Sequence, residues 1–213
     1  MNESAGKTKK SSPLIPVLIL VTIGIGIWIF DSVKDDIFPK RFGVVKEGVL
    51  YRSGQISSTL VKRVLEEHNI QVIIDLTGTD PSNSDQVAEI QTAKELGIER
   101  CTYPLSGKGT GDVNSYIQAL CTLHQAIEDQ KPALIHCAAG TQRTGGATAL
   151  YRLLFEKQSP ESVVEEMKHY DWSYRDNPDL LDYLNKNMPV ICNALHEKGV
   201  LDEIPDPIPV LQP

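Results

Sequence analysis

The feature that most constrains the fold is a series of short apolar runs separated by segments of helical spacing. The runs are QVIIDL at residues 71–76, IERCTYPL at residues 98–105 and ALIHC at residues 133–137. Each run has the length of a buried strand. Because the intervening segments have helical spacing, the strands are predicted to pair in parallel, with helices covering the sheet.

The flanking segments complete this picture. Residues 42–54, FGVVKEGVLYRSG, alternate apolar and polar positions around a Lys-Glu-Gly turn, which predicts a hairpin. A helix before the second run has Val87, Ile90 and Leu96 as its expected apolar face and Gly97 as its end. We therefore predict an α/β fold with a central, mostly parallel sheet flanked by helices.

The third run ends at Cys137, where ligands collect in open parallel sheets. Residues 138–142, AAGTQ, carry no charge, and Arg143 follows them at the start of a predicted helix. If this stretch forms a loop, its backbone N–H groups and the helix dipole can bind an anion. Gly140 permits a turn that a side chain would hinder.

The same N–H groups and Arg143 would stabilise a thiolate at Cys137. They would move the thiol pKa into the range of roughly 3.5–7.5 seen at helix N-termini. A thiolate beneath an oxyanion site suits attack on a phosphoryl group, and Arg143 can bind two phosphoryl oxygens in bidentate fashion. The sequence thus predicts phosphoryl chemistry at Cys137.

A family resemblance rests on these same residues. HCAAGTQRTG, residues 136–145, matches the H-C-x5-R-[S/T]-G signature of the protein-tyrosine phosphatase superfamily, in the strand-loop-helix setting that this family requires. VLYRSGQ at residues 49–55 and VIIDLTG at residues 72–78 resemble the compact dual-specificity branch, including its bacterial and fungal members. The resemblance covers about residues 42–175.

The resemblance implies roles for individual residues. Cys137 would be the nucleophile that forms a cysteinyl-phosphate, Arg143 would hold the phosphate, and the Thr144 hydroxyl would assist breakdown of the intermediate. His136 would orient the loop and tune the thiol, or would simply be a buried histidine satisfied by backbone. The predicted substrate-binding residues are Ala138, Ala139, Gly140, Thr141, Gln142, Arg143 and Thr144.

The general acid is the point at which the sequence departs from the family. The family normally has an aspartate about thirty residues before the cysteine, where this chain has Ser106 and Gly107. Asp112 lies in the same glycine-rich loop and could swing in as the acid. It could equally be the N-cap of the next helix. Some relatives place an aspartate just before the arginine, but this chain has Gln142.

The net charge of the chain limits the classes of substrate to be expected. The sequence has 21 Lys and Arg and 28 Asp and Glu, and only three lysines and one glutamate precede residue 31, which leaves a net charge of −9 from residue 31 onward. Such a domain is a poor candidate for nucleic-acid binding. Because the loop is also neutral, we expect a singly phosphorylated group on a protein side chain, hydrolysed without a cofactor. A membrane anchor, which the apolar N-terminal sequence predicts, keeps a lipid or envelope substrate possible.

Two further hypotheses belong to other classes. The missing acid is compatible with a pseudophosphatase that binds phosphorylated partners without turnover. A thiol redox protein, with Cys101 resolving an oxidised Cys137, is a third reading. Zinc ligation by Cys121 and His124 together with His136 and Cys137 is less favoured than core packing, because Cys121 and His124 fall on the apolar stripe of one predicted helix. No metal is therefore expected.

The N-terminal region predicts a separate element. No charged residue occurs from residue 11 to residue 30, a length that reaches roughly 30 Å as a helix. We expect an uncleaved single-pass membrane anchor rather than a signal peptide, with a slight lean to the N-terminus inside. The predicted organisation is a short tail at 1–12, a transmembrane anchor at 13–30, a linker at 31–41, a phosphatase domain at 42–198 and a proline-rich tail at 199–213.

Overall fold

The computed structural model describes residues 14–213, with the backbone alone described at residues 14–19, 31 and 32. The predicted tail at 1–12 therefore lies outside the described residues. The elements, in chain order, are α1 Leu14–Ile37, β1 Gly43–Lys46, β2 Leu50–Ser53, α2 Val61–Glu67, β3 Val72–Asp75, α3 Ser84–Leu96, β4 Glu99–Thr102, α4 Val113–Glu128, β5 Ala133–His136, α5 Gln142–Leu154, α6 Pro160–His169 and α7 Asp179–Glu197.

The five strands form one mixed sheet in the order β1-β2-β5-β3-β4. β1 and β2 pair antiparallel as the predicted hairpin, and the other three neighbouring pairs are parallel. The predicted α/β fold with a mostly parallel sheet is confirmed. β5 lies in the middle, with Ile135 opposite Arg52 on one side and His136 opposite Asp75 on the other. The loop after β5 is therefore bordered by the ends of two strands.

Helices cover both faces of the sheet. Helices α4 to α7 and one set of strand side chains enclose the larger core, which includes Leu50, Ile74 and Ile135. Helices α2 and α3 cover a smaller core on the opposite face, which includes Ile73 and Leu134. Because side chains alternate along a strand, successive residues of β3 and β5 contribute to opposite cores. His136 and Cys137 thus leave β5 toward different faces.

The predicted apolar face of α3 is wrong. Val87 and Ile90 are 44% and 39% exposed, and Leu96 is also exposed. The buried residues of this helix are instead Gln86, Glu89, Thr92 and Ala93. The reason is that α3 lies against buried polar groups, with the Glu89 carboxylate beside His136 at the end of β5. Gly97 ends the helix in the left-handed conformation, as predicted.

The C-terminal part is helical, as predicted. Ser159 caps α6 and Pro160 is its first residue. The proline-rich tail predicted at residues 199–213 is largely exposed but packs on the core through Leu201 and Leu211, and the backbone N–H and C=O of Leu211 both bond to the Asn185 side chain at 2.8 Å. Cys121 packs against the larger core, as expected.

The N-terminal helix α1 does not support the predicted transmembrane anchor. The helix continues past Phe30 through DSVKDDI, so charged residues occupy its last two turns. Within the described part of the chain, no helix is long and apolar enough to cross a membrane. The beginning of the predicted span at 13–30 lies outside the described residues, and a membrane location stays a prediction.

Candidate active site

The loop between β5 and α5 has the tight turn that the sequence predicted. Gly140 has a φ of 79°, and a Cβ atom at this position would lie 2.5 Å from the backbone nitrogen of Gly54. Only glycine fits this approach without displacing the backbone, because real Cβ contacts are essentially never so short. The loop is therefore held against the end of β2, and α5 begins directly after it at Gln142.

Cys137 lies beneath this loop with its thiol inside the protein. The residue is 1% exposed, and its Sγ accepts a hydrogen bond from the Gly140 N–H at 3.2 Å. Burial raises the pKa of the thiol, but the Thr144 hydroxyl and amide, the Arg143 charge and the Gly140 amide outweigh burial and lower it below its ordinary value. The predicted thiolate environment is present.

Arg143 is in the first turn of α5, on the same loop. Its Nη1 donates to the carbonyl oxygens of Leu76 and Leu105, both at 3.5 Å, which is the long limit of a hydrogen bond. Its Nε is buried and has no hydrogen-bond partner among the described residues. A half-buried guanidinium with an unused Nε donor beside a lowered-pKa thiol is suited to bind an anion.

Two predicted site residues have structural partners. The Thr144 hydroxyl is buried and lies 3.4 Å from the Ser53 carbonyl oxygen, so it can donate its one proton either there or to the sulfur of Cys137. The Gln142 side-chain oxygen accepts from Asn177 at 2.8 Å, and the same Asn177 nitrogen donates to the Lys108 carbonyl oxygen at 2.8 Å. Asn177 thereby ties the Cys137 loop to the glycine-rich loop before α4, a link that sequence spacing could not reveal.

Asp112 occupies the N-cap position of α4. Its carboxylate accepts a hydrogen bond from the Asn114 N–H at 2.9 Å, and its side chain faces solvent. The capping alternative is thus realised in this structure. A part in proton transfer would require the loop that carries Gly109 and Gly111, both with positive φ, to move.

His136 is part of a buried ionic network that the sequence did not predict. Its Nε2 lies 3.2 Å from Oε2 of Glu89, an ion pair whose angle is not that of a hydrogen bond. The Arg100 guanidinium lies between two carboxylates, 2.9 Å from that of Glu89 and 2.7 Å from that of Asp75. The Gln55 side-chain amide also donates to Glu89, at 3.1 Å. Both His136 and Asp75 are fully buried.

The network fixes the charge of His136. Burial alone would lower the pKa of this imidazole, but the Glu89 carboxylate raises it to about 9. Burial likewise opposes the charge of Glu89, but His136 and Arg100 lower the pKa of its carboxyl to about 2. The residue before Cys137 is therefore a cation at neutral pH, and the alternative of a histidine satisfied by backbone is not what the structure shows.

Arg52 is a second buried cation near the loop. It is fully buried in β2, and its Nη2 donates to the Gly140 carbonyl oxygen at 2.7 Å. Its guanidinium carbon lies 3.6 Å from the centre of the Tyr170 ring. Burial lowers the pKa of Arg52 to about 10, so the group stays charged at neutral pH. β2 reads Leu-Tyr-Arg-Ser, and the alternation of the predicted hairpin held no sign that its arginine is buried.

The redox alternative has no support from the positions of the cysteines. Cys101 is on the edge strand β4 and pairs with Ile74 of β3, which in turn pairs with Ile135. Two strand spacings, roughly 10 Å, therefore separate Cys101 from β5. Because the Cα atoms of a disulfide lie within about 7 Å of each other, Cys101 cannot bridge to Cys137 in this fold.

Comparisons with known proteins agree with this geometry. A family model described as "Tyrosine phosphatase family" matches residues 39–166. The dual specificity protein phosphatase TpbA of Pseudomonas aeruginosa is 36% identical over 58 residues, a match that covers 27% of this chain and 26% of TpbA. The aligned segment thus spans about a quarter of that curated relative.

Solved structures extend the likeness to most of the fold. The crystal structure of P. aeruginosa TpbA matches with a TM-score of 0.56 at 23% identity, covering 69% of this chain and 84% of that chain. The core catalytic domain of the PP-IP phosphatase SIW14 from S. cerevisiae, in complex with citrate, matches with a TM-score of 0.59 at 18% identity, covering 76% and 95%. At such identities these matches show a shared fold.

Proposed function

The chain belongs to the tyrosine phosphatase family, and on that premise we propose that it hydrolyses phosphate monoesters through a cysteinyl-phosphate on Cys137. The observation that carries the proposal is the juxtaposition within one loop of a lowered-pKa thiol, a Gly140 N–H at 3.2 Å from the sulfur and the unused Nε of Arg143. A nucleophile and anion donors in one rigid turn are the parts that phosphoryl transfer needs.

The reaction follows in two displacements. The Cys137 thiolate attacks phosphorus, so that the S–P bond forms and the bond from phosphorus to the ester oxygen breaks, with that oxygen taking a proton from Asp112, the proposed general acid. Arg143 and the loop amides bind the equatorial oxygens, where charge develops in the transition state. Water then attacks phosphorus and gives a proton to the Asp112 carboxylate, the S–P bond breaks, and the thiolate is regenerated with release of inorganic phosphate.

The proposed substrate is a singly phosphorylated protein side chain. The residues between Cys137 and Arg143 are neutral, and the chain from residue 31 onward is acidic, so neither favours a polyphosphorylated ligand. TpbA, a structural neighbour at 22% identity, has been crystallised in complex with phosphotyrosine. That likeness supports the proposal without extending to the choice between tyrosine and serine or threonine.

A substrate panel tests the proposal. The full chain is incubated with phosphotyrosine, phosphoserine and phosphothreonine peptides, an inositol pyrophosphate and phosphoinositide vesicles, and phosphate release is measured. We expect turnover of a phosphopeptide that is lost in Cys137→Ser. Binding of phosphopeptides without any turnover would favour the pseudophosphatase reading, and preferential turnover of the inositol or lipid arm would overturn the protein substrate.

The same assay addresses Asp112, our proposed general acid for the ester oxygen. Asparagine also caps helices well, so Asp112→Asn keeps the bond from the Asn114 N–H while removing the proton. We expect a much larger rate loss on an alkyl phosphate than on p-nitrophenyl phosphate, whose leaving group needs no proton. An unchanged ratio of the two rates would remove the assignment.

A further inference from the structure

Three successive carbonyl groups of the Cys137 loop are each bound from outside the loop. The Ala138 oxygen accepts from the backbone N–H of Gln55 at 3.2 Å. The Ala139 oxygen accepts from Nη1 of Arg41 at 2.8 Å, and the Gly140 oxygen accepts from Nη2 of Arg52 at 2.7 Å. We call the Gln55 N–H, the Arg41 Nη1 and the Arg52 Nη2 groups the outer donors.

The outer donors determine where the loop amides point. In a planar trans peptide, the C=O of one residue and the N–H of the next point in opposite directions. Carbonyls held outward at Ala138, Ala139 and Gly140 therefore direct the N–H groups of Ala139, Gly140 and Thr141 to the inner side. The Gly140 N–H confirms this independently, because it donates to the sulfur of Cys137 at 3.2 Å.

We infer that Arg41 and Arg52 are positioning residues that hold the amides of the Cys137 loop in the orientation needed to bind an oxyanion. The inference rests on the proposed function for its role in catalysis, but anion binding itself does not depend on turnover. Neither arginine lies in the signature segment at 136–145, and they precede it by more than eighty residues. They act through the loop backbone and not on the substrate.

Arg52 is held at both of its Nη atoms, while its Nε has no hydrogen-bond partner among the described residues. Besides the Gly140 oxygen, it contacts the Thr148 hydroxyl at 3.2 Å, the Tyr170 ring at 3.6 Å and Glu166 at 4.0 Å. A guanidinium with its plane on a ring and its donors on fixed oxygens has little freedom to move. Arg52 therefore provides a rigid reference point for the Gly140 peptide.

Arg41 reaches the loop from the segment that follows α1. Its Nε donates to the Asp171 carboxylate at 2.7 Å while its Nη1 donates to the Ala139 oxygen, so that one guanidinium spans two elements. The Arg41 side chain is 30% exposed. Lysine keeps the charge but cannot make both bonds in one planar group. Replacement by lysine therefore distinguishes an effect on the orientation of the loop from an effect of the positive charge alone.

The experiment measures binding of tungstate to the full chain, with Arg41→Lys and Arg41→Ala as the test variants and Arg63→Ala as the control. Among the described residues, Arg63 makes an ion pair with Glu67 alone, on the surface of α2. If the arginine orients the loop, both Arg41 variants should raise the tungstate dissociation constant by about tenfold, at low and at high salt, with no change for Arg63→Ala. Asp171→Ala should give a smaller loss in the same direction.

Two results would overturn the inference. Arg41→Lys could bind tungstate as the unmodified chain does, or the loss could vanish at high salt, and either would show that only the charge of Arg41 matters. Failure of the proposed function is a distinct result, since a chain that hydrolyses no phosphopeptide could still bind tungstate in an Arg41-dependent way. Because Arg52 is fully buried and its variants could unfold, Arg41 carries the test.

Discussion

On the α2–α3 face of the sheet, the buried cation next to the Cys137 loop is His136, and carboxylates match it directly. On the α4–α7 face, the corresponding cation is Arg52, which is surrounded by a carbonyl, a hydroxyl and an aromatic ring, with Glu166 at 4.0 Å. The first arrangement locks two opposite charges together. The second surrounds one charge mainly with neutral dipoles.

Because of this difference, the same type of substitution should change the free energy of unfolding by different amounts on the two faces. Removing one partner of a matched buried pair leaves an uncompensated charge in the protein interior. Removing a carboxylate from a cation that is already solvated by dipoles leaves most of its partners in place. The following predictions test this asymmetry, beginning with the largest effect.

Glu89→Gln should lower the free energy of unfolding by about 3–5 kcal/mol, because Arg100 would keep its charge with one carboxylate fewer and the buried His136 would lose the carboxylate that stabilises its imidazolium. Urea unfolding measures the loss. Glu95→Gln, on the exposed side of the same helix, is the matched control and should change stability by less than about 0.5 kcal/mol. A loss below about 1 kcal/mol for Glu89→Gln would contradict a matched ionic pair.

Stability should also depend on pH through the same pair. The folded-state pKa of His136, about 9, lies above its ordinary 6.5, so its contribution is complete below pH 6.5 and is lost as the pH rises through 9. Glu89, lowered from 4.5 to about 2, contributes fully above pH 4.5 and loses its contribution as the pH falls through 2. Unfolding by urea should therefore show a decline on the order of 2–3 kcal/mol between pH 6.5 and 9.

That alkaline decline should largely disappear in Glu89→Gln, since the variant has lost the carboxylate that raises the pKa of His136. Comparing the two profiles removes the contribution of other groups that titrate in this range. Parallel curves for the two proteins would show that His136 is not the group responsible.

Packing, and not charge, should dominate on the α4–α7 face. A Cβ atom at Gly146 would lie 2.4 Å from the hydroxyl of Tyr116, which donates to the Gly109 oxygen at 2.7 Å. Gly146→Ala should lower the unfolding free energy by about 1–3 kcal/mol through overpacking. Gly145→Ala, with no atom within 4 Å outside its own helix backbone, should raise it by about 0.5–1 kcal/mol. Thermal unfolding of both variants checks this, and equal signs would refute it.

Glu166→Gln should have the smallest effect, about 0–1 kcal/mol. Glu166 is partly exposed and accepts from Arg152 at 2.7 Å, a bond that a glutamine oxygen can retain, and it contacts Arg52 only at 4.0 Å. This variant is the counterpart of Glu89→Gln, with the same chemical change on the opposite face. A loss as large as that of Glu89→Gln would remove the distinction between the two faces.

Much of the backbone around Cys137 could be predicted from the local pattern of the sequence. The strand ending at His136, the tight turn at Gly140 and the helix from Gln142 follow from an apolar run, a residue without a side chain and helical spacing. These features are properties of neighbouring residues, and so the position of Cys137 at a helix N-terminus could be predicted. Sequence could also propose two readings for Asp112, of which the structure shows the cap.

The supporting residues could not be predicted, because their partners are distant in sequence. Arg52 binds Gly140 across 88 residues and Arg41 binds Ala139 across 98 residues. Glu89 also conceals the buried face of α3, since a buried glutamate breaks the apolar periodicity by which a helix face is recognised, and the face predicted from Val87, Ile90 and Leu96 is the exposed one. A buried ionic network between distant residues produces no regular spacing in the sequence, so it could not be predicted.

The position of β5 has a consequence for how the molecule is made. β1 and β2 form one two-stranded piece and β3 and β4 another, and the last strand in the chain must enter between them. Neither piece contacts the other through the sheet until residues 133–136 have been synthesised. The thiol follows in the next residue, so the strand that joins the two pieces of the sheet also delivers the nucleophile, and helices α5 to α7 can cover the larger core only after that strand.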